Sequence, residues 1–296
     1  MRALLSRALA PALFLGLPAA LVLHATGFGK MLYGADVVGV FHHARIVIAE
    51  ALRSGRLPVW DPGTMAGFPL LAGIQSAVFY PPSWLCILLP AGAFWTVTAA
   101  GHMALAGFFT RAWLRRGMGL SEGASLAGAV VFMVSGFFVT RIYAGHVNYI
   151  WAYPWIAAVL WRLERYLADR SFRRGALLGA SISMLFLAGV PQFVFFAALL
   201  AGARLMVPGT EGRRGVAAWL MLGILFCAPQ LFPTLELAGE MQRGGADDPV
   251  FLADYSMPVE NLATLVSPAW FGDGVGTPYR GRSHLWESCA FVGIST

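Results

Sequence analysis

Asp36 is the residue whose type and position point most directly to chemistry. It follows a first apolar segment and begins a polar stretch that continues to Pro82. A carboxylate can accept the proton of a hydroxyl group in the transition state, and this makes a poor nucleophile reactive near neutral pH. We therefore expect Asp36 to act as a catalytic base at the water-facing end of a membrane bundle. The competing interpretation is an ordinary solvated acid beside a membrane helix.

Arg141 and His146 are the second pair of candidates, because both fall in a short connection between two apolar segments. Fixed positive charge at such a place could stabilise a lipid-linked phosphate as it leaves, so both residues are predicted to bind the donor phosphate. Arg141 could instead be an interfacial anchor, and His146 could simply cap a helix. His102 lies in an apolar segment, where it could be functional or could satisfy a backbone carbonyl of a neighbouring helix.

The stretch after Asp36 combines turn formers with aromatic residues. Val37 to Leu52 predicts an amphipathic helix, with Val40 on its apolar face and Arg45 on another face. Asp61, beside a proline, is predicted to be a turn residue. The rings of Trp60, Phe79, Tyr80 and Trp84 suit the depth of lipid headgroups. The residues of this stretch that form the candidate loop motif are Pro58, Trp60, Gly67, Pro69, Gln75, Tyr80 and Pro81.

Composition predicts an integral membrane protein. Of 296 residues, 58% are hydrophobic and only 12% are charged, whereas soluble domains carry about 25% charged residues. The net charge of +6 does not indicate nucleic acid, because the arginines cluster between apolar runs, as expected for a topology signal. Three cysteines without a C-x-x-C spacing indicate neither disulfides nor zinc. No cofactor is certain; a divalent cation at Asp247, Asp248 and Asp254 is one option, and a solvated loop is the other.

Seven apolar runs approach the roughly 17 to 25 residues of a membrane-spanning helix. Residues 174 to 207 could form one overlong helix or two short ones. Gly189 and Pro191 favour a break in the middle. The predicted fold is thus an all-α polytopic bundle, with spans near 8–26, 91–113, 122–140, 147–163, 174–190, 191–207 and 215–235.

Arginine placement predicts the orientation of this bundle. Most basic residues lie in the N-terminus and in three short connections, so the N-terminus is expected in the cytoplasm. Two long segments, 27–90 and 236–296, are then external, and the first should carry interfacial helices. The first apolar run, after Arg2 and Arg7, could alternatively be a cleaved signal peptide.

The order of several short motifs resembles the YfhO-type bacterial membrane proteins. After Asp36 and the loop motif come Gly145-His146 and Gly189-Val190-Pro191-Gln192, where the family pattern has His in place of Val190. Glu287 with Phe291-Val292-Gly293 resembles a further element of the family, with Phe291 in place of Tyr. The resemblance covers nearly the whole chain as a single transmembrane domain.

This resemblance implies a glycosyltransferase of the C-type (GT-C) fold in the bacterial plasma membrane. Such enzymes move a sugar from a polyprenyl-phosphate carrier to a cell-envelope glycan or polymer on the external face, with an acid in the first external loop as base. Asp36 occupies that position, and Glu287 becomes a further site candidate. Members of the family are longer, so the chain is expected to be an N-terminal fragment. The alternatives are a transporter or lipid flippase and a non-catalytic scaffold for envelope assembly.

Overall fold

The computed structural model describes residues 2–26, 31, 34–241, 256–282 and 284–289, except for the side chains of residues 2–8 and 25. This part of the chain is α-helical, with one isolated β-bridge between Asp61 and Phe68. Short π- and 3-10 helices occur at 37–41, 74–76, 81–87, 113–117 and 259–265. The α-helices are α1 (Arg2–Thr26), α2 (His42–Arg53), α3 (Ala91–Ala112), α4 (Glu122–Met133), α5 (Gly136–Ala144), α6 (Val147–Ala168), α7 (Phe172–Leu187), α8 (Pro191–Leu205), α9 (Arg213–Phe226), α10 (Ala228–Glu240) and α11 (Leu285–Ser288).

The predicted apolar runs all coincide with helices, but two of them are not continuous. The third run is divided into α4 and α5 by Val134 and Ser135. The seventh is divided into α9 and α10, which meet at Cys227 with a bend of 72°. Pro229 stands at the start of α10, and a proline has no N–H with which to continue the hydrogen bonds of the preceding helix. The predicted break before Pro191 is confirmed, since α7 ends at Leu187 and α8 begins at Pro191.

One helical segment, Glu122–Ala144, combines the length and the hydropathy needed to cross a membrane. The bent pair α9 and α10 would add a second if it formed one span. Leu9–His24 and Pro191–Leu205 are apolar but shorter. The α-helical fold class is therefore confirmed, as is the presence of a segment able to span a membrane. The number of seven spans stays a prediction.

The helices α3 and α6 form the centre of the molecule. α3 packs against α1, α4 and α6, and α6 also packs against α7 and α8. Large aromatic side chains fill the space between them, among them Phe94, Trp95 and Trp151, which are at most 1% exposed. Because α6 has 22 residues, it is about 33 Å long at 1.5 Å per residue. It can therefore carry different sites at its two ends.

Ion pairs join the segments that connect the helices, and these pairs lie at the two ends of α6. At the N-terminal end of α6, Asp36 meets His146, and Arg141 meets Glu287. The other end gathers the connections that were predicted to be internal, through the pairs Arg111–Glu122, Glu164–Arg204 and Arg170–Glu211. Described residues of the two predicted external segments, Asp36 and Glu287, thus meet at one end of the bundle, and these described pairs from the predicted internal connections lie at the other.

The helix predicted from Val37 to Leu52 forms, but its faces differ from the prediction. Val40 is 56% exposed, whereas Phe41 and Arg45 are 8% and 4% exposed. Val40 lies in the π-helical turn at Val37–Phe41, which contains more residues than an α-turn, so its position relative to α2 differs from that in a regular helix. Arg45 lies three residues before the buried Ile48 in the regular helix α2, so the two side chains share a face. The guanidinium of Arg45 lies over the rings of Phe94 and Trp151.

Candidate active site

Four predicted residues form a continuous row at the N-terminal end of α6. The Asp36 carboxylate lies 3.2 Å from Nε2 of His146. On the other side of the ring, Nδ1 of His146 lies 2.7 Å from Nη1 of Arg141. The Arg141 guanidinium then donates two hydrogen bonds to Glu287, of 3.0 and 2.9 Å. We call these residues the acid–base row. It contains the predicted base, both predicted phosphate ligands and the further candidate from the resemblance.

Two glycines bring Asp36 next to His146. Gly145 ends α5 with φ at 86°, a left-handed conformation that favours glycine. A Cβ atom on Gly145 would lie 2.8 Å from the backbone nitrogen of Val37, and one on Gly34 would lie 2.4 Å from Cα of Gly145. The two backbone segments therefore cross in direct contact. This close crossing places the side chain of Asp36 opposite the ring at the start of α6.

Arg141 is the buried anchor of the row. It is 6% exposed, and its guanidinium lies 5.1 Å from the ring centre of Phe137 and 4.7 Å from that of Tyr149. Because Glu287 and His146 already accept its hydrogen bonds, a phosphate could reach the guanidinium only by competing with Glu287. The arrangement supports a positioning role for Arg141 more strongly than the predicted role in phosphate binding.

Hydrogen-bonding rules assign the proton on His146. An arginine only donates hydrogen bonds, so Nδ1 of His146 must accept the one from Arg141. In the neutral ring, Nε2 then carries the hydrogen, and this nitrogen lies 3.2 Å from a carboxylate oxygen of Asp36. Burial, followed by the positive charge of Arg141, lowers the pKa of His146 below its usual 6.5, although Asp36 and Glu287 oppose this shift. The ring is thus neutral at pH 7 and lies in close contact with the carboxylate of Asp36.

Glu287 balances the charge of Arg141. Burial raises the pKa of Glu287, but the hydrogen bonds and charge of Arg141 outweigh this effect, so the pKa lies below its usual 4.5. The carboxylate is therefore ionised at neutral pH. The Asp36 side chain, 44% exposed, is the most accessible of the three charged groups in the row. It is the group of the row that is most open to solvent.

Aromatic rings surround the row on its open side. The ring of Trp286 lies 6.4 Å from that of His146 and 6.2 Å from that of Tyr143. His284 stacks on Trp286 with 4.8 Å between ring centres. Sequence reasoning did not single out these aromatics, because Trp286 and Tyr143 lie far apart in the chain. The only signal was the position of Trp286 next to Glu287.

Tyr80, whose ring was predicted to suit the lipid headgroups, is fully buried inside the protein. Its hydroxyl accepts a hydrogen bond of 2.7 Å from Nε1 of Trp155 and donates one of 2.6 Å to Nε2 of His102. His102 in turn donates from Nδ1 to the carbonyl of Thr98. The hydroxyl overrides the interfacial preference of the ring because partners are available inside. Tyr80 thus attaches the first loop to α3 and α6. His102 satisfies a backbone carbonyl, but this carbonyl belongs to Thr98 in its own helix α3 and not, as predicted, to a neighbouring helix.

The remaining residues of the loop motif shape the loop itself. Gly67, with φ at 129°, lies so close to Trp60 that a Cβ atom would be 2.3 Å from the indole. The carbonyl of Gln75 accepts a hydrogen bond of 3.0 Å from Asn148, which sequence reasoning missed. Pro58 is buried, Pro69 accepts from the N–H of Gly73, and Pro81 begins the 3-10 helix at 81–87. Within the described residues, no hydrogen bond or ion pair joins this motif to the acid–base row.

Asp61 occupies a turn, as predicted. Its carboxylate accepts hydrogen bonds from the N–H of Gly63 at 2.9 Å and from the hydroxyl of Thr64 at 2.6 Å, and it lies 3.1 Å from Nε2 of His43. Burial raises the pKa of Asp61, but the lowering by these hydrogen bonds is larger, so the pKa lies below its usual 3.8. The group is therefore an ionised acceptor that fixes the turn.

No cluster of three metal-ligating side chains occurs in the part of the chain that the structure describes. The acidic group Asp247, Asp248 and Asp254, which the sequence suggested for a divalent cation, lies outside the described residues, as do Phe291, Val292 and Gly293. Comparisons with protein-family models, with curated proteins and with solved structures found no match to this chain.

Proposed function

We propose that the protein is a membrane glycosyltransferase that moves a sugar from a polyprenyl-phosphate carrier to an acceptor hydroxyl of a cell-envelope glycan. The observation that carries this proposal is the acid–base row, in which a partly exposed carboxylate lies 3.2 Å from the ring of a neutral histidine. A sugar hydroxyl needs such a base, because it is a weak nucleophile at neutral pH. The family resemblance named above is consistent with this activity.

The row divides the work of the reaction. Asp36 accepts the acceptor's proton as the new oxygen–carbon bond forms at the sugar and the bond to the carrier phosphate breaks. His146 holds the carboxylate through its Nε2–H, and Arg141 fixes the tautomer of His146. Glu287 keeps Arg141 in place. The nearby rings of Tyr143 and Trp286 give the apolar faces of a sugar a surface to pack against.

The expected setting is the bacterial plasma membrane, with about seven spans and a cytoplasmic N-terminus. The bilayer and the lipid-linked sugar are the expected partners. The topology can be tested by labelling cells with a membrane-impermeant thiol reagent after single cysteines are introduced in a cysteine-free background. Met65 and Val275 are suitable positions at the predicted external end, since they are 91% and 80% exposed, and Met206, 79% exposed, serves at the other end.

The expected labelling pattern is reaction at Met65→Cys and Val275→Cys and protection at Met206→Cys. Ser76 is less suitable as a probe because it is only 8% exposed. Reaction at Met206→Cys in intact cells, or protection of either external position, would contradict the proposed orientation.

The decisive test of function is sugar transfer by the full-length protein with Asp36→Asn. Asparagine keeps the shape of the side chain but cannot accept the proton, so turnover should fall about a hundredfold or more, the usual scale of general-base catalysis. Folding and donor binding should stay nearly unchanged. Matched controls are Glu50→Gln, an exposed acid of the same loop, and Asp61→Asn, which should reduce transfer much less. Near-normal transfer by Asp36→Asn at equal protein levels would refute the catalytic assignment.

A transporter or lipid flippase is the second candidate. The 72° bend between α9 and α10 favours it, because transporters use helices that are interrupted within the membrane. The two functions differ in one measurement. A flippase would move a labelled lipid-linked sugar between the leaflets of a vesicle without releasing the carrier phosphate, whereas the transferase would release it only in the presence of an acceptor. A non-catalytic scaffold would do neither.

A further inference from the structure

A cavity of about 580 Å³ lies at the end of α6 opposite to the acid–base row. The C-terminal turns of α6, the start of α7 and the end of the π-helix after α3 enclose it. Five arginines and one acid line this cavity: Arg116, Arg162, Arg165, Arg173, Arg174 and Asp169. We call it the arginine cavity.

The charges of the arginine cavity are not balanced within the described residues. Asp169 is paired with Arg174 at 3.1 Å, and Arg174 also donates to the carbonyl of Arg165. The other four arginines of the cavity form no ion pair with a described carboxylate. Neighbouring arginines outside the cavity do have partners, as in the pairs Arg170–Glu211 and Arg204–Glu164. The unmatched positive charge is therefore concentrated at the cavity.

Trp161 supplies a second, independent observation. It lines the same cavity, and its indole N–H is buried without a hydrogen-bond acceptor in the described part of the chain. A buried donor without an acceptor is costly. The guanidinium of Arg162 lies 3.9 Å from the centre of the indole ring. The cavity thus combines excess cations with an aromatic ring that holds one of them, and a phosphate would balance the unmatched charge.

We propose that the arginine cavity binds a phosphate-bearing anion. Guanidinium groups recognise phosphate with paired, charge-assisted hydrogen bonds, which makes arginine better suited to this task than lysine. The ligand could be the headgroup of an anionic phospholipid, since basic pockets on the cytoplasmic side of membrane bundles bind such headgroups. A soluble phosphate compound shares this chemistry. The site is separate from the proposed transferase centre, and its existence does not depend on that function.

Binding can be measured with the full-length protein in nanodiscs of phosphatidylcholine that contain a small, varied fraction of spin-labelled phosphatidylglycerol. Inorganic pyrophosphate serves as the soluble probe, measured by calorimetry in nanodiscs of phosphatidylcholine alone. The test variant combines Arg162→Gln, Arg165→Gln and Arg173→Gln. Arg170→Gln is the control, because this arginine lies in the connection between α6 and α7, close in sequence to the test positions, but does not line the cavity. A variant with Lys at the same three positions keeps the charge.

The triple Gln variant should bind the anionic probe at least about tenfold more weakly, given the contribution of each cation near a membrane surface. Arg170→Gln should stay within about twofold of the wild type, and the Lys variant should lie between the two. Selective loss for phosphatidylglycerol identifies a lipid headgroup as the source, and selective loss for pyrophosphate identifies a soluble one.

The proposal would be overturned if the triple Gln variant bound each probe as tightly as the wild type does. It would also be overturned if Arg170→Gln lost as much affinity as the triple Gln variant. If the triple Gln variant does not fold, Arg165→Gln alone should show about a threefold loss, and no loss in this single variant would count against the site.

Discussion

Two side-chain clusters of this molecule, one around His102 and one around His146, differ in whether a polar group remains accessible to solvent. The His102 cluster is closed: Trp155 donates to Tyr80, Tyr80 donates to His102, and His102 donates to the carbonyl of Thr98. The acid–base row ends instead at Asp36, whose side chain is 44% exposed. Each ring nitrogen of His102 and of His146 has a partner, but only the row ends in a group with unused acceptor capacity facing water.

This difference separates a structural histidine from one that can take part in chemistry. In the closed cluster every donor meets an acceptor, so a substrate would have to break an existing hydrogen bond to enter it. Burial also raises the pKa of the Tyr80 phenol above its usual 10.0, which keeps the hydroxyl protonated as a donor. In the row, the side chains of Arg141 and His146 are largely buried, and Asp36, the proposed base, is partly exposed to solvent. The comparison predicts that variants of the closed cluster lose stability, whereas variants at the open end of the row lose activity.

The largest loss of stability is expected from Glu287→Gln. It leaves the charge of Arg141, whose side chain is 7% exposed, without a counter-ion. Breaking a fully buried pair costs about 3–5 kcal/mol and breaking a surface pair about 0–1 kcal/mol. Because the Glu287 side chain is 29% exposed, we expect a cost of about 3 kcal/mol, measured by thermal unfolding. Glu260→Gln, which breaks the exposed pair with Arg282, is the control and should change Tm much less. Equal shifts would contradict the anchoring role.

The next largest effect is expected from Tyr80→Phe, which tests the closed cluster. The substitution removes only the hydroxyl and leaves Trp155 and His102 without their partner. Two buried polar groups without partners should cost about 2 kcal/mol of stability, visible as a lower Tm in detergent or nanodiscs. Transfer per folded molecule should stay near the wild-type value. Tyr279→Phe is the control, since that hydroxyl has only a long contact of 3.4 Å with Asn261. A specific loss of transfer would show that the closed cluster is functional.

His146→Gln should have a smaller energetic effect, and it should appear in activity rather than in stability. A glutamine amide fits the space less well and cannot hold Asp36 in the same direction. Transfer should fall about tenfold, which corresponds to about 1.4 kcal/mol in the transition state, while the free energy of unfolding changes by less than about 1 kcal/mol. The measurement is kcat and Tm on the same preparation. A large fall in Tm with unchanged kcat would make His146 structural, like His102.

The smallest effect expected is a pH dependence of stability at His146. Its pKa lies below the usual 6.5 in the folded protein, so the unfolded chain takes up this proton at a higher pH than the folded chain does. The stability that the neutral ring contributes is thus complete above about pH 6.5 and is lost as the pH falls below that value. Comparing Tm at pH 7.5 and pH 5.5 in the wild type and in His146→Gln should show a smaller decrease in the variant. The same decrease in Tm in both proteins would show that His146 does not contribute to the pH dependence of stability.

The residues of the acid–base row could be predicted from the sequence, but the contacts between them could not. Asp36, Arg141 and His146 were candidates because polar residues beside apolar runs are few and easily recognised, and Glu287 was a candidate from the family resemblance alone. The direction of the contacts was not predictable, because the pair Arg141–Glu287 depends on how distant segments pack. Arg141 was expected to face a phosphate and instead lies against Glu287 and two aromatic rings.

Helix existence was predictable from hydrophobicity, but helix phase and continuity were not. The π-turn at Val37–Phe41 has no clear signature in the sequence, and the burial of Arg45 on the same helical face as Ile48 was not predicted. Tyr80 was placed at the headgroups because its ring is amphipathic. Its burial depends on Trp155, which lies 75 positions away in the chain, and a local pattern contains no information on such a partner.

The hydrogen bonds between Arg141 and Glu287 join residues 146 positions apart. Contacts of such large sequence separation carry a high loop-closure entropy and tend to form late in folding. During synthesis, Asp36 and the first loop leave the ribosome long before Glu287 does, so a growing chain that already holds the base still lacks the group that anchors the row. We therefore expect nascent and partly assembled chains to be catalytically silent, with activity appearing only when the last described segment docks beside α5.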